Sequence, residues 1–302
     1  MSTSITTAFV QQYSANVQML SQQMGSRLRD AVRVENIVGK NAFFDQVGVA
    51  TAQLRTSRHA DTPQMDTPHA RRRVSLADYE YADLIDDQDK VRMLIDPTSS
   101  YAMAAAAAMG RSMDDVLISA ALGTSYTGET GSTSTTLPAG QKIVNGSADM
   151  SIAKLIQAKK ILDLADVDPS IPRYIAVGPN QIEALLGTTS VTSSDFNTVK
   201  ALVQGDVDTF MGFKFIVTNR LSVASSIRSC FAWAEDGLAL GIGKDINARI
   251  DERADKGYAT QVYYCMSVGA TRMEESKVVQ IDCDESAQGG LDYDYKKLRP
   301  SS

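Results

Sequence analysis

Few of the residues that build metal centres or disulfide frameworks occur in this 302-residue sequence. It has two histidines, His59 and His69, which stand in a Pro- and Thr-rich stretch without a partner at metal-ligand spacing. Its three cysteines, Cys230, Cys265 and Cys283, are an odd number at wide spacings, which predicts reduced thiols on strands. We therefore expect no bound metal, no disulfide framework and no cofactor.

The sequence also lacks an excess of basic residues and any long apolar run. A net charge of -6 and an isoelectric point near 5.1 argue against a dedicated nucleic-acid-binding protein. Nowhere do 18 uncharged apolar residues follow one another, and the first 20 residues lack the basic and apolar regions of a signal peptide. These absences predict a protein that does not span a membrane and is not secreted by means of a signal peptide.

No complete catalytic motif is present. The stretch GLALGIGKD, residues 237–245, resembles a phosphate-binding loop, but its glycines are one residue too far apart and Asp245 replaces the usual Ser or Thr. Ser151 and Lys154 form an isolated S-x-x-K without the companion motifs of that class of nucleophile. We therefore predict that the protein is not an enzyme and has no catalytic residues.

Two segments in the first third predict an extended ribbon. Residues 42–55 and 71–85 are rich in β-branched and aromatic residues and predict two strands. The joining residues, 56–70, contain two Thr-Pro steps and almost nothing to bury, and such long loops are usually functional or disordered. Because a two-stranded ribbon is not stable by itself in water, we expect it to lie on another surface, such as that of a neighbouring subunit.

A long helix is predicted next. Asp96 suits the N-cap, Pro97 the first helical position and Gly123 the end, which gives a helix over residues 97–122 about 39 Å long.

Residues 124–141, rich in Gly, Ser and Thr, predict a flexible surface loop. An apolar stripe in residues 5–24 predicts a helical arm that packs on a neighbour or on its own subunit, and the chain after residue 147 predicts mixed α/β structure with a largely antiparallel second part.

This order of parts resembles the major capsid proteins of tailed double-stranded DNA bacteriophages, over about residues 1–286. The resemblance is most specific from RRRVSLADYEYADLIDDQDKVRMLIDP through the Ala-rich helix to TSYTGETG, residues 71–131, which is similar to the capsid group of short-tailed phages. RYIAVGPNQIEALL, GDVDTFMGFKFIVTNRL and RMEESKVVQIDCDES also carry it. The resemblance implies an α+β fold with an N-terminal arm, an extended β-hairpin loop, a peripheral domain with a long spine helix, and a mixed α/β axial domain.

The same resemblance implies boundaries for these parts. They are an arm over 1–40, the extended loop over 41–86, the peripheral domain over 87–146, the axial domain over 147–275, a return strand over 276–286 and a tail over 287–302.

The resemblance also implies a function. It predicts a structural protein that is assembled in the host cytoplasm into pentamers and hexamers of an icosahedral virion capsid. Portal and scaffolding or cement proteins are implied partners, and packaged DNA would be contacted without sequence specificity. Two alternatives remain open, a bacterial nanocompartment shell of the same architecture and, in a different class, an α/β enzyme with an unrecognised site.

Opposite charges follow one another in the ribbon region. A basic block ends at residue 73, and an acidic block begins at Asp78. Because a ribbon that leaves its own domain can bring its arginines to an acidic patch on an adjacent copy, we predict that the two blocks meet between subunits. Pairing within the chain and a solvated surface without a partner are the alternatives. The six residues predicted at this contact are Arg71, Arg72, Arg73, Asp86, Asp87 and Asp89.

Overall fold

The computed structural model describes residues 22–55, 57, 58, 61, 64–86, 98–187 and 209–287. Three α-helices occur in these residues, α1 (Thr98–Leu122), α2 (Ile152–Leu164) and α3 (Pro179–Gly187). The β-strands of the same residues are β1 (Arg33–Asn36), β2 (Asn41–Val47), β3 (His69–Ser75), β4 (Ala77–Ile85), β5 (Ser125–Thr127), β6 (Thr133–Thr135), β7 (Lys142–Ile143), β8 (Arg173–Val177), β9 (Thr209–Phe210), β10 (Phe213–Val217), β11 (Val223–Ala224), β12 (Ile227–Ala234), β13 (Leu238–Arg253), β14 (Ala259–Arg272) and β15 (Val278–Asp284).

The chain divides into two compact units, each made of several chain segments. The smaller unit comprises residues 1–26, 78–113 and 244–267, and the larger comprises 27–77, 114–243 and 268–302. Helix α1 and strands β13 and β14 each begin in one unit and end in the other. Within the described residues, no helix is both long and apolar enough to cross a membrane.

A seven-stranded sheet forms the core of the larger unit. Its strand order is β7-β15-β12-β8-β10-β9, with β11 paired to β12. Strand β12 lies antiparallel to both β15 and β8, whereas β8 and β10 are parallel. The side chains of Phe231 and Trp233 on β12 are fully buried, and the Trp233 indole N–H donates to the carbonyl of Ala31 at 2.8 Å. This sheet matches the predicted mixed α/β part with mainly antiparallel pairing.

A second sheet of the larger unit has the order β2-β3-β5-β6. It corrects the prediction of a flexible loop over residues 124–141, because β5 and β6 lie in that segment and β5 pairs with β3. The cause is the run of Thr and Tyr residues, which suits a strand, while Gly128 and Gly131 take the positive φ values of the turn between β5 and β6. Pairing of β5 with β3 therefore orders a segment whose Gly, Ser and Thr content predicts a flexible loop.

The two predicted ribbon strands are present with different limits. The first ends at Val47 instead of residue 55, and the second is divided at Leu76 into β3 and β4. Strand β3 pairs with β2, whereas β4 belongs to the sheet of β14. Apolar residues continue to alternate through Leu76, so the sequence pattern predicts a single strand. In the structure, β3 and β4 on either side of Leu76 belong to two different sheets.

Helix α1 confirms the predicted long helix, from Thr98 to Leu122. Its proposed cap, Asp96–Pro97, lies outside the described residues. The buried side of α1 includes Ala107, Gly110, Met113, Leu117 and Ala121, which recur every three or four residues as in an amphipathic helix. Met103 continues the same spacing but is exposed, and the buried side begins at Ala105.

In the smaller unit, the chain before β1 lies directly on α1. A β-carbon on Gly110 would overlap the backbone of Gly25, so only glycine permits this approach. The guanidinium of Arg111 donates to the side chain of Gln22 and to the carbonyl of Gln23, at 2.8 and 3.2 Å. The predicted helical arm over residues 5–24 otherwise lies outside the described residues.

Two glycines let chain segments cross in the larger unit. A β-carbon on Gly241 would overlap the side chain of Ile37, and one on Gly269 would overlap the carbonyl oxygen of Ser75. The β3 end of the chain therefore runs against β14 at a distance that excludes a side chain.

We expect Gly269→Ala to lower the free energy of unfolding by about 1–3 kcal/mol, because backbone or strand must shift to admit the methyl group. Gly140→Ala is the matched control, since a β-carbon there meets no atom within 4 Å and Gly140 has no positive φ. Urea unfolding of the free subunits, followed by circular dichroism, measures both. Equal midpoints for the two variants would contradict the close packing at Gly269.

Candidate assembly surface

Hydrogen bonds at both ends of the ribbon of β2 and β3 fix the register of the two strands. Asn41 lies opposite Ser75 and Val47 lies opposite His69. The amide of Leu76 donates to the carbonyl of Lys40 at 3.0 Å, and that of Gly48 donates to the carbonyl of Pro68 at 2.7 Å. Both bonds join directly opposite residues, so the even-numbered residues of β2 direct their backbone N–H and C=O groups toward β3. The odd-numbered residues direct theirs to the outer edge of the sheet.

Two of the predicted contact arginines, Arg71 and Arg73, lie on one side of β3. Arg71 donates to the carboxylate of Asp45 at 2.6 Å, and its guanidinium lies 5.5 Å from the ring centre of Phe43. This ion pair is solvent-exposed, and it raises the pKa of Arg71 while lowering that of Asp45 through their mutual hydrogen bond. Arg73 places its guanidinium 4.7 Å from the ring centre of Tyr126, which is a cation–π contact.

Arg72 points to the other side and is buried. Its guanidinium bonds the carboxylate of Glu275, and the same carboxylate lies 3.6 Å from the guanidinium nitrogen Nε of Arg272. Arg272 is fully buried and donates to the carbonyls of Ala121 and Gly123, both at 2.9 Å. Burial lowers the pKa of Arg272, which Glu275 opposes and Arg72 reinforces. The carboxylate of Glu275 thus connects Arg72, at the base of the ribbon, with Arg272, which binds the C-terminal end of α1.

Arg272 completes this junction with a third backbone bond, to the carbonyl of Thr135 on β6 at 3.1 Å. A helix leaves its last carbonyl groups without partners inside the helix, and a cation is favourable there. The sequence gave no direct signal for this role, because Arg272 and the end of α1 are about 150 residues apart. Only the position of Arg272 at the end of a strand of alternating apolar residues could have drawn attention to it.

Beyond β2, the described part of the ribbon carries exposed apolar side chains. Val49 and Leu54 are 90% and 89% exposed, and Val47 and Met65 are also exposed. Single exposed apolar residues are ordinary, but several close together, here three beyond β2 and Val47 at its end, are typical of an interaction surface. The described residues bury none of them, so this segment, called here the ribbon tip (residues 48–55 and 64–68), is a candidate contact surface.

The predicted acidic partners are only partly described. Asp86 follows β4 and is exposed, whereas Asp87 and Asp89 lie outside the described residues. All three acids of β4 have bonds within the smaller unit: Glu80 accepts from the Tyr263 hydroxyl at 3.0 Å, Asp78 is bonded to the Ser267 hydroxyl, and Asp83 accepts from the Tyr81 hydroxyl at 3.4 Å. The contact of Arg71, Arg72 and Arg73 with these acids on another copy stays a prediction.

The two incomplete catalytic motifs of the sequence have structural roles in the described residues. Ser151 is the N-cap of α2 and accepts from the amide of Lys154, which explains the isolated S-x-x-K as helix capping. In the glycine-rich stretch, residues 238–245 form the start of β13 instead of a phosphate loop. Among the described residues, no group of three or more His, Cys, Asp or Glu side chains is arranged to hold a metal ion.

The three cysteines lie on strands as predicted, and all are reduced. Cys230 and Cys283 are fully buried on neighbouring strands, β12 and β15, whereas Cys265 on β14 is partly exposed. The hydrogen bond between the two buried thiols, together with burial, raises the pKa of Cys230. Because a raised pKa and burial both oppose thiolate formation, these two thiols are structural.

Comparison with known proteins identifies the family. The family model described as phage capsid protein matches residues 5–285. The chain is similar to a capsid structure of the cyanophage P-SCSP1u, with 19% identity and a TM-score of 0.72, covering 94% of this chain and 95% of that one. It is also similar to the capsid of Ralstonia phage GP4, with 11% identity and a TM-score of 0.73, covering 92% of this chain and 95% of that one.

A third similar structure is the capsid of a native GTA particle, at 11% identity and a TM-score of 0.67, covering 92% of this chain and 96% of that one. No curated protein sequence matches the chain. These likenesses confirm the predicted α+β fold, and the family model covers nearly all of the sequence. The chain belongs to the phage capsid protein family.

Proposed function

We propose that copies of this chain form rings of five and six that together close an icosahedral capsid around double-stranded phage DNA. The structural role in a capsid shell follows from membership of the phage capsid protein family. Rings of five and six arise when one surface of a subunit binds a different surface of the next and the rotation closes. Portal, scaffolding or cement partners, and assembly in the host cytoplasm, are part of the same proposal.

The ribbon tip is the single observation that carries the proposal for subunit contacts. Val49 and Leu54 expose nearly all of their apolar surface, and burying such a side chain contributes about 1.5–3 kcal/mol. A surface of this kind fits an apolar contact that one subunit makes with the next. In an isolated subunit the same groups would only face water.

The charged residues support a narrower role than the one predicted. Arg72 is buried against Glu275, so reversing its charge would damage the subunit as well as any contact. Arg71 is exposed, and solvent screens its single pair with Asp45, so it is available for exchange with an acid of a neighbour. We propose Arg71 as the arginine of the three that best tests the contact with Asp86, Asp87 or Asp89.

Particle contents separate a virion shell from a nanocompartment. We expect nuclease-treated particles from a phage lysate that contain this chain to release double-stranded DNA of one uniform length after disruption. Agarose gel electrophoresis of the extracted nucleic acid, beside gel analysis of the particle proteins, makes the measurement. Particles that hold a cargo protein and no DNA would support the nanocompartment and overturn the proposal.

DNA binding by the free subunit provides a second readout. With a net charge of -6, we expect only weak binding that is independent of sequence and weakens as salt is added. Tight, sequence-selective binding in a filter or fluorescence assay would contradict a shell protein that merely encloses its genome.

A further inference from the structure

Two buried arginines share one carboxylate at the base of the ribbon. Arg72 is 7% exposed and Arg272 is fully buried, and both lie against the carboxylate of Glu275. These three side chains, called here the arginine cluster, carry an excess of one positive charge. Burial lowers the pKa of Arg272, but a guanidinium keeps its proton in proteins, so titration does not remove the excess charge. Because an unpaired buried charge strongly destabilises a folded protein, the cluster requires a further negative charge.

The acids that flank the arginine cluster are engaged by cations outside it. Glu274, next to Glu275 in the chain, pairs with Lys277 at 3.3 Å. Asp236 pairs with the same lysine at 2.7 Å. On the opposite side of β3, Asp45 pairs with Arg71. None of these three carboxylates therefore balances the excess charge of the cluster.

Buried donor groups without a partner occur at the same junction. They are Nε and Nη1 of Arg72, Nε of Arg272 and the hydroxyl of Ser125, which make no hydrogen bond among the described residues. Ser125 is 2% exposed and lies directly opposite Thr135, whose carbonyl accepts from Arg272 at 3.1 Å. It shares a face of the sheet with Arg72, because Arg72 lies directly opposite Thr127, two residues from Ser125. Since buried polar groups are nearly always hydrogen-bonded, these donors indicate a bound acceptor.

We propose that the arginine cluster, together with Ser125, binds one small monovalent inorganic anion of the chloride class. A single negative charge balances the cluster, whereas a divalent phosphate or sulfate would leave it with a net negative charge. Access is narrow, because the side chains of Arg72 and Glu275 are 9% and 17% exposed, so a small ion suits the site better than the carboxylate of a large molecule. A water molecule is the alternative, since it accepts hydrogen bonds but carries no charge.

The chloride dependence of subunit stability separates the ion from water. Urea unfolding of the free subunit is followed by circular dichroism while sodium chloride replaces sodium gluconate at a constant ionic strength of about 0.2 M. We expect the unfolding midpoint to rise and then level off. The ratio of folded to unfolded subunit should increase about ten-fold when chloride reaches about ten times its dissociation constant. The same midpoint in chloride and in gluconate would overturn the proposal.

Two substitutions in the cluster have opposite expected effects. Arg72→Met removes the excess charge and two of the donors, so the chloride dependence should disappear. Glu275→Gln adds to the excess charge, so the midpoint should be lower in gluconate and rise further with chloride. Arg33→Met is the matched control, because Arg33 forms an exposed pair with Glu35 outside the cluster, and it should keep the chloride dependence of the unmodified chain. Equal chloride dependence in Arg72→Met and in the unmodified chain would contradict the site.

Chlorine NMR detects the ion directly and keeps the proposal testable if a variant does not fold. We expect the chloride resonance to broaden when the folded, unmodified subunit is added and to narrow again when urea unfolds it. Broadening that is the same for the folded and the unfolded subunit would overturn the proposal. Because these measurements use free subunits, their outcome does not depend on whether the chain assembles into a shell.

Discussion

Replacing Arg272 by methionine is expected to lower the free energy of unfolding of the subunit by about 3–5 kcal/mol, the largest effect of any single substitution considered. Its guanidinium donates to three carbonyls, the buried one of Ala121 and the part-buried ones of Gly123 and Thr135. Methionine fills a similar volume but donates no hydrogen bond, so these carbonyls lose their charged donor. The measurement is the urea midpoint of the free subunit, followed by circular dichroism.

Arg253→Met is the matched control. Arg253 also pairs with an acid, Asp255, at 2.8 Å, but this pair is exposed at the end of β13. The control should leave the urea midpoint nearly unchanged, because solvent screens an exposed pair. Arg272→Lys, which keeps the charge but not the planar fork, should fall between the two. A loss below about 1 kcal/mol for Arg272→Met would contradict the role of Arg272 at the end of α1.

The second large effect concerns assembly and not subunit stability. We expect Val49→Asp with Leu54→Asp to leave the free energy of unfolding within about 0.5 kcal/mol of the unmodified subunit, because both side chains are already exposed. Particle yield should nevertheless fall by about 100-fold or more, since each contact loses apolar burial and gains an unpaired buried carboxylate. Sedimentation of assembly mixtures separates particles from free subunits.

Val144→Asp with Leu164→Asp carries the same charge change at two other exposed positions, each 73% exposed. It tests whether added negative charge alone blocks assembly. Normal particle yield from the ribbon-tip variant would remove the tip from the assembly surface. Equal loss in both variants would show that charge, and not the ribbon tip, controls yield.

The sequence predicts those helices and strands whose residue pattern is visible within a single segment. The helix from Thr98 to Leu122 has a clear apolar stripe, and the ribbon strands are rich in β-branched and aromatic residues. The division at Leu76 could not be predicted, because it depends on Gly269, which lies about 190 residues later and allows the chain to cross β14. Strands β5 and β6 were missed for a similar reason, since β3 supplies the pairing that orders them.

The candidate surface was predicted less completely than the fold. The run Arg71–Arg72–Arg73 predicted a single basic block, but alternate residues of a strand face opposite ways, so Arg72 is buried while Arg71 is exposed. A count of charges cannot tell the buried arginine from the exposed one. The alternation of side chains along a strand can, once the strand has been identified. The exposed Val49 and Leu54 carry no sequence signal, because burial of an apolar residue cannot be deduced from its identity.

Electron microscopy of the purified, unmodified protein tests the central claim most directly, because a shell and a free α/β protein differ in size by an order of magnitude. The account predicts closed particles hundreds of ångströms across, with rings of five and six subunits visible in the averaged images. A homogeneous population of monomers or small oligomers, at the concentrations and salt conditions that favour association of related subunits, would contradict it.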